Sequence, residues 1–372
     1  MADPERILIV RLSHLGDVVQ TLPLFHAVRE RFPAARIAWA IQPAFAPLLA
    51  GLEGLERTIE FDRDGGWRAW IRLTRALRGF RPDLALDAQT NWKSAAVARA
   101  SGAPQRLSLP RDLWREPSAA RLMTASVAAA AGPLEHAQDR VLHLAREVCG
   151  SAFDVRRDPG LSADELRAGR ARLAQLVPRL DDPALRPPAI VQVSPATDVR
   201  TPPDASLVAA LVELHRRRVP TIVTSAPREL ARAKALCDEA RRAAGTLAIG
   251  ADDHRDAAPF GALAGEPETL RSFASWLAAA AERDARFVSA DSGPLHLAAA
   301  VGLRCVTLAG PYDWRRTGAW PPPDRAGSTH RALVADPDLE CRPCLSRTCA
   351  RPGGRECLER IAPMRIADAV TD

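Results

Sequence analysis

Asp291, Ser292, Gly293 and His296 stand close together, directly after the apolar run Arg286 to Ala290. An Ala-rich segment from Leu295 to Val301 follows at once. A strand that runs into such a turn and helix prepares an anion site. The first amide N–H groups of a helix have no partner within it and lie at the positive end of its dipole. A phosphate placed there meets several donors. Gly293 lets a ligand approach the backbone, Pro294 suits the first turn, and Ser292 or Asp291 can cap it. His296 falls in that first turn, within reach of the same ligand. Capping alone accounts for Ser292 and Pro294, but not for Asp, Gly and His together.

Three more polar loops follow apolar runs. Ser194 to Pro203 carries Thr197 and Arg200, a hydroxyl and a guanidinium suited to one phosphate. Ser225 to Glu229 offers a carboxylate that can accept hydrogen bonds from a ribose diol. Ser13-His14-Leu15-Gly16-Asp17 presents a single acid, Asp17, where open α/β sheets keep their sites. Each has a plainer reading. Asp17 can cap the helix that follows, Glu229 is favoured in any first turn, and 194–203 can be an ordinary loop. Their convergence on strand ends favours a pocket for a nucleoside diphosphate, with Asp17 facing it from the other half of the chain.

Alternating elements must position these residues. Apolar runs predict strands at Arg6–Leu12, Arg36–Ile41, Arg57–Asp62 and Asp83–Gln89, with helices at Val18–Phe32 and Gly66–Phe80. The composition changes between 150 and 188, where Leu161–Val177 reads as an exposed Arg-rich helix before a Pro-rich tract. That tract, near 178–188, suggests a domain boundary. Strands then recur at Ala189–Val193, Thr221–Thr224, Thr246–Ile249, Arg286–Ala290 and Cys305–Ala309. Helices are expected between them at Ser206–Arg217, Glu229–Ala244, Pro267–Ala281 and Leu295–Val301. This pitch predicts α/β architecture: two Rossmann-like, doubly wound domains facing across a cleft.

Composition bounds the chemistry. A chain of 372 residues, 47% hydrophobic and 26% charged, suits two soluble domains. Its 51 basic residues, nearly all Arg, against 45 acidic ones give a net charge of +6, which fits an anionic substrate or membrane surface. With one Tyr and no basic run interleaved with aromatics, nucleic acid is not an expected partner. The first strand is not followed by G-x-G-x-x-G, which argues against a dinucleotide enzyme. The N-terminus lacks the long apolar run of a signal peptide, and no spanning segment is evident, so a cytoplasmic protein is expected. Cys341, Cys344, Cys349 and Cys357 cluster near the end. A structural zinc, a redox clasp and four free thiols are all open readings.

Ser13 to Asp17 with Thr21-Leu22-Pro23, Asp83 to Gln89 with Lys93-Ser94-Ala95, Phe287 to Gly302, and Gly310 to Asp313 together resemble glycosyltransferase family 9, the ADP-heptose:lipopolysaccharide heptosyltransferases. Arg115-Glu116-Pro117 and His136 to Arg140 are similar to the heptosyltransferase I branch. The resemblance implies a GT-B fold and an inverting, metal-independent transfer that needs no cofactor. It places the catalytic base on Asp17. Donor binding falls to Thr197, Arg200, Glu229, Asp291, Ser292, Gly293 and His296, and acceptor binding to Ser13, Lys93 and Arg115. It implies residues 1–180 as acceptor domain and 181–356 as donor domain, with a Cys-rich segment at 341–357. A C-terminal helix is expected at 357–372, packing back on the first domain. The expected partners are ADP-heptose or a similar nucleotide sugar and a lipid-linked anionic saccharide, the lipid A–Kdo core, met at the inner face of the inner membrane. The loop 196–203 departs from the family pattern: Ala196 replaces a Gly, Arg200 a Lys and Pro202 an aromatic residue. Another nucleotide sugar serving O-antigen or capsule, or a lapsed nucleotide-binding member, are the alternatives.

Overall fold

The computed structural model describes residues 3–128, 132, 135–178, 180–182, 185–245, 260–262, 269–351 and 354–372. The chain divides into two compact units, Met1–Ser162 and Ala163–Asp372.

The first unit contains β1 (Arg6–Val10), α1 (Leu15–Arg31), β2 (Arg36–Ile41), β3 (Leu55–Glu60), α2 (Gly66–Phe80), β4 (Leu84–Asp87), α3 (Trp92–Ala100), β5 (Gln105–Ser108), β6 (Ala125–Ser126) and α4 (Ala137–Cys149). Its sheet is parallel, in the order β3-β2-β1-β4-β5-β6. β1 is a near-continuous apolar run because a central parallel strand is covered on both faces. α2 buries Ala69, Leu73, Leu77 and Phe80, the helical spacing of one apolar stripe. Leu73, Leu77 and Phe80 meet Leu8, Val10, Ala38, Ala40 and Ala85 of the sheet. Each fully buried large side chain here is worth about 1.5–3 kcal/mol.

The second unit contains α5 (Ala163–Leu176), β7 (Ala189–Val193), α6 (Asp204–Arg216), β8 (Thr221–Ser225), α7 (Leu230–Gly245), β9 (Phe260–Ala262), α8 (Leu270–Ala281), β10 (Arg286–Ala290), α9 (Gly293–Ala300), β11 (Arg304–Leu308), α10 (Trp314–Thr317), β12 (Arg331–Leu333), α11 (Glu356–Glu359) and α12 (Pro363–Thr371). Its parallel sheet runs β12-β11-β10-β7-β8-β9, the same winding as the first. In both sheets the order reverses beside the unit's first strand, at β1/β4 and at β7/β10. The connections leaving those paired strands diverge, which opens a crevice at their carboxyl ends.

The α/β, doubly wound class read from the sequence is the class the chain adopts. Several boundaries differ. α1 starts at Leu15 and α9 at Gly293, so Asp17 and Gly293 lie inside helices, not in loops. The expected strand Thr246–Ile249 lies outside the described residues. α5 belongs to the second unit, so the division falls at Ser162 and not in the Pro-rich tract. Its Gly169 meets α8 closely: a Cβ there would stand 2.4 Å from the Ser275 carbonyl oxygen. The expectation that 357–372 packs on the first domain is corrected. Ile366, Ala367, Ala369 and Val370 of α12 join Leu207, Leu211 and Leu214 of α6 in the core of the second unit.

Candidate active site

In the first unit the site forms where β1 and β4 end. The Trp39 indole, fully buried, donates to the Arg11 carbonyl oxygen at 3.2 Å and fixes the backbone leaving β1. The Arg11 guanidinium donates to the Ala88 carbonyl and pairs with Asp17 Oδ1 at 2.8 Å. Asp17 Oδ2 accepts the His14 amide at 3.2 Å, so the acid also braces the start of α1. Its side chain stays 39% exposed while Arg11 is 11% exposed. The result is an oriented carboxylate open to solvent, backed by a sheltered cation.

The β4 side supplies the frame. Gln89 Oε1 accepts the amides of Leu12 at 2.6 Å and Ser13 at 3.3 Å. Asp87 is fully buried and accepts from the Gln89 amide at 2.8 Å, the Thr90 amide at 3.2 Å and the Ser94 hydroxyl at 2.9 Å. Burial pushes its carboxyl up to about 6, against the opposing pull of those donors and of Arg11. Ser13 is thus held at the strand end by Gln89. Lys93 is exposed in the first turn of α3, and Arg115 is exposed beside Glu116. The Glu116 carboxylate accepts the Trp92 amide at 2.6 Å, which brings these two cations to neighbouring stretches of backbone.

In the second unit the loops after β7 and β10 meet. Arg200 forms a fork with Asp198, Nε to Oδ1 at 2.9 Å and Nη2 to Oδ2 at 2.6 Å. Nη1 donates to the Asp291 carbonyl at 3.1 Å, and the guanidinium stands 5.6 Å from the Tyr312 ring centroid. Hydrogen bonding to Asp198 raises the Arg200 pKa. Burial pushes Asp198 up, but the Arg200 bonds outweigh it and hold the carboxyl below its ordinary value. Arg200 and Asp291 line a pocket with Thr307, Gly310, Tyr312 and Trp314. His296 is 8% exposed with Nε2 3.5 Å from Asp291 Oδ1, so it faces that acid more than open solvent. Ser292 occupies the N-cap of α9, but its hydroxyl pairs with Ser289 at 2.8 Å and does not cap, contrary to the expected role. Gly293 is the first residue of that helix and partly exposed. Thr197 is exposed on its loop, and Glu229, mostly buried, lies 3.7 Å from Arg228 at the end of β8. Neither lines the pocket.

The residues that sequence reasoning missed are supports. Arg11 lies in a run that reads as strand, Asp198 is one more polar residue in the loop of Arg200, and Arg355 belongs to no motif. Arg355 Nη1 donates to the carbonyls of Ala196 at 2.8 Å, Asp198 at 3.3 Å and Thr201 at 2.9 Å, gathering the loop around one cation. The segment bearing it also reaches the pocket wall: Arg342 Nε donates to the Gly310 carbonyl at 2.8 Å and the Leu345 amide to that of Pro311 at 2.9 Å. All seven cysteines are free, and among the described residues no three His, Cys, Asp or Glu side chains converge to hold a metal ion.

Two units of this winding, with polar loops at each reversal of strand order, define the doubly wound α/β class, in which ligands are bound outside the carboxyl ends of the strands. Residues 70–247 and 262–353 match the family model of glycosyltransferase family 9 (heptosyltransferase), which is more than half of the chain. The chain belongs to that family and is a glycosyltransferase. Lipopolysaccharide heptosyltransferase 1 of Pseudomonas aeruginosa is 28% identical, covering 97% of this chain and 96% of that protein. Among solved structures, a family 9 glycosyl transferase from Veillonella parvula superposes with a TM-score of 0.72 at 16% identity, over 98% of this chain and 95% of that one. The E. coli heptosyltransferase WaaC with ADP-2-deoxy-2-fluoro heptose gives 0.66 at 20% identity over 98% of both chains. These likenesses support the fold read from the sequence.

Proposed function

We propose that the protein is an inverting transferase that moves a heptose from ADP-heptose to the lipid A–Kdo inner core in lipopolysaccharide biosynthesis. The observation that carries this reading is the Asp17 carboxylate, oriented by Arg11 and the His14 amide yet 39% exposed. A base for a sugar hydroxyl must accept a hydrogen bond from it in the reacting pose. Asp17 takes that proton as the acceptor oxygen bonds to the anomeric carbon. The bond from that carbon to the diphosphate oxygen breaks, and ADP leaves with the electron pair. The charge growing on ADP is met by Arg200 and by the start of α9 at Ser292, Gly293 and Leu295. Asp291 and His296 shape that wall, Thr197 adds a hydroxyl, and Glu229 accepts from the ribose. Ser13, Lys93 and Arg115 receive the anionic acceptor. The enzyme works in the cytoplasm, at the inner face of the inner membrane. The charge compensation in this scheme comes from side chains and backbone, without a metal or cofactor.

Asp17→Asn keeps the shape and removes the base. Transfer should fall by about 10²- to 10⁴-fold, while calorimetric binding of ADP stays as in the wild type. Unchanged turnover would remove Asp17 from the base role. A screen of ADP-, UDP- and GDP-sugars, read by release of the nucleoside diphosphate, tests the donor. Preference for UDP or GDP would redirect the reading to another saccharide.

A further inference from the structure

The helix α2 carries two faces that the catalytic scheme does not use together. One is buried in the core through Ala69, Leu73, Leu77 and Phe80. The other presents Trp67 at 69% exposure and Ile71 at 45%, four residues apart and therefore on one stripe. Trp67 is the most exposed large apolar side chain among the described residues. Around that stripe stand Arg68, Arg72, Arg75 and Arg78, all exposed, and the helix contains no acidic residue. Arg68 lies 5.4 Å from the Trp67 ring centroid. Among the described residues only Arg72 of these four has a nearby carboxylate, Asp62 at 3.8 Å, and both groups are largely solvated, so the pair is weak.

Trp and Arg together on one helix face suit a boundary that is apolar on one side and anionic on the other. Indole prefers the level of lipid headgroups, and guanidinium forks onto phosphate. A helix of this kind lies in the interface plane without spanning it. We propose that α2 is the membrane contact of this protein: Trp67 and Ile71 enter the headgroup boundary of an anionic bilayer, and the four arginines bind its phosphates. This rests on the reading that the acceptor is borne by a lipid, and it names the surface that brings the enzyme to it.

Sedimentation of the full chain with phosphatidylethanolamine–phosphatidylglycerol vesicles, and with phosphatidylcholine vesicles, tests it. The wild type should pellet with the anionic vesicles only, and about 0.5 M salt should release it. Trp67→Ser with Ile71→Ser should cut the bound fraction by about tenfold with an unchanged melting temperature, since neither side chain supports the core. Arg68→Gln with Arg75→Gln should weaken binding and flatten its salt dependence. Equal pelleting of wild type and the Trp67/Ile71 variant overturns the proposal. So does equal binding to both lipids, or a wild-type dimer that this variant converts to monomer without any vesicle binding. Transfer to a water-soluble acceptor stripped of acyl chains is measured alongside. Lost vesicle binding by the wild type with intact transfer sinks this inference alone. Absent transfer with intact vesicle binding sinks the functional reading alone.

Discussion

Asp87 is the least visible and most constrained acid of the first unit. It is buried, takes three hydrogen bonds and holds Gln89, which in turn holds the amides of Leu12 and Ser13 ahead of Asp17. Its carboxyl is raised from 3.8 to about 6. Below pH 3.8 it is protonated whether the chain is folded or not. Between 3.8 and 6 the unfolded carboxyl ionises while the folded one keeps its proton, so this group makes the fold less stable as pH rises. The loss is about 3 kcal/mol across the window, at about 1.4 kcal/mol per pH unit. The stability difference between wild type and Asp87→Asn should therefore shift by most of that amount between pH 4 and pH 7 in urea titrations. A constant difference would show that Asp87 ionises as it does in water. Asp17 was legible in the sequence because a lone acid follows an apolar run. Arg11 was not: besides Asp17 it holds the Ala88 carbonyl just past β4, and no local pattern marks a contact between residues so far apart in the chain.

At the scale of elements, the segment after the last long strand is a brace. Arg342 and Leu345 fasten it to the Gly310–Pro311 turn, and Arg355 gathers the 196–201 loop. Each hydrogen bond is worth about 0.5–1.5 kcal/mol net. Arg355→Ala should loosen the loop that carries Arg200 and weaken ADP binding by about 10- to 100-fold, with little change in melting temperature. Calorimetry beside thermal melting checks this. An equal loss of both would make Arg355 a general structural residue. Strands with apolar runs and helices with a clean stripe were readable. β5 and β6 were not, because Gln105–Ser108 is polar and only partly buried and Ala125–Ser126, at the sheet edge, is two exposed residues long. The polar loops after β7 and β10 could be found from the sequence. That Ser292 turns to Ser289, and that His296 turns to Asp291, depends on side-chain packing that spacing does not encode.

The molecule as a whole is two cores, each closed by its own elements. The Pro-rich tract marked a change in composition, but packing divides the chain earlier. α5 lies against α8, pinned by Arg170–Glu282 at 2.7 Å and Arg271–Glu165 at 2.5 Å, and so it belongs with the second sheet. Such a division cannot be read locally, since it depends on contacts made a hundred residues away. A chain cut at the Pro-rich tract would lose α5 and expose α8. A fragment of residues 163–372 should instead fold alone and bind ADP with near wild-type affinity, because Arg200, Asp291 and Tyr312 all lie within it. Failure of a folded fragment to bind ADP would mean that the first unit contributes to the nucleotide site.

Tyr312 lines that pocket, its ring beneath the Arg200 guanidinium, and it is the single tyrosine of the sequence. Protein grown on 3-fluorotyrosine therefore carries one fluorine label, already placed in the pocket beside Arg200 without any engineered substitution. Its lone ¹⁹F resonance reports whatever approaches Arg200, and does so for every variant named above.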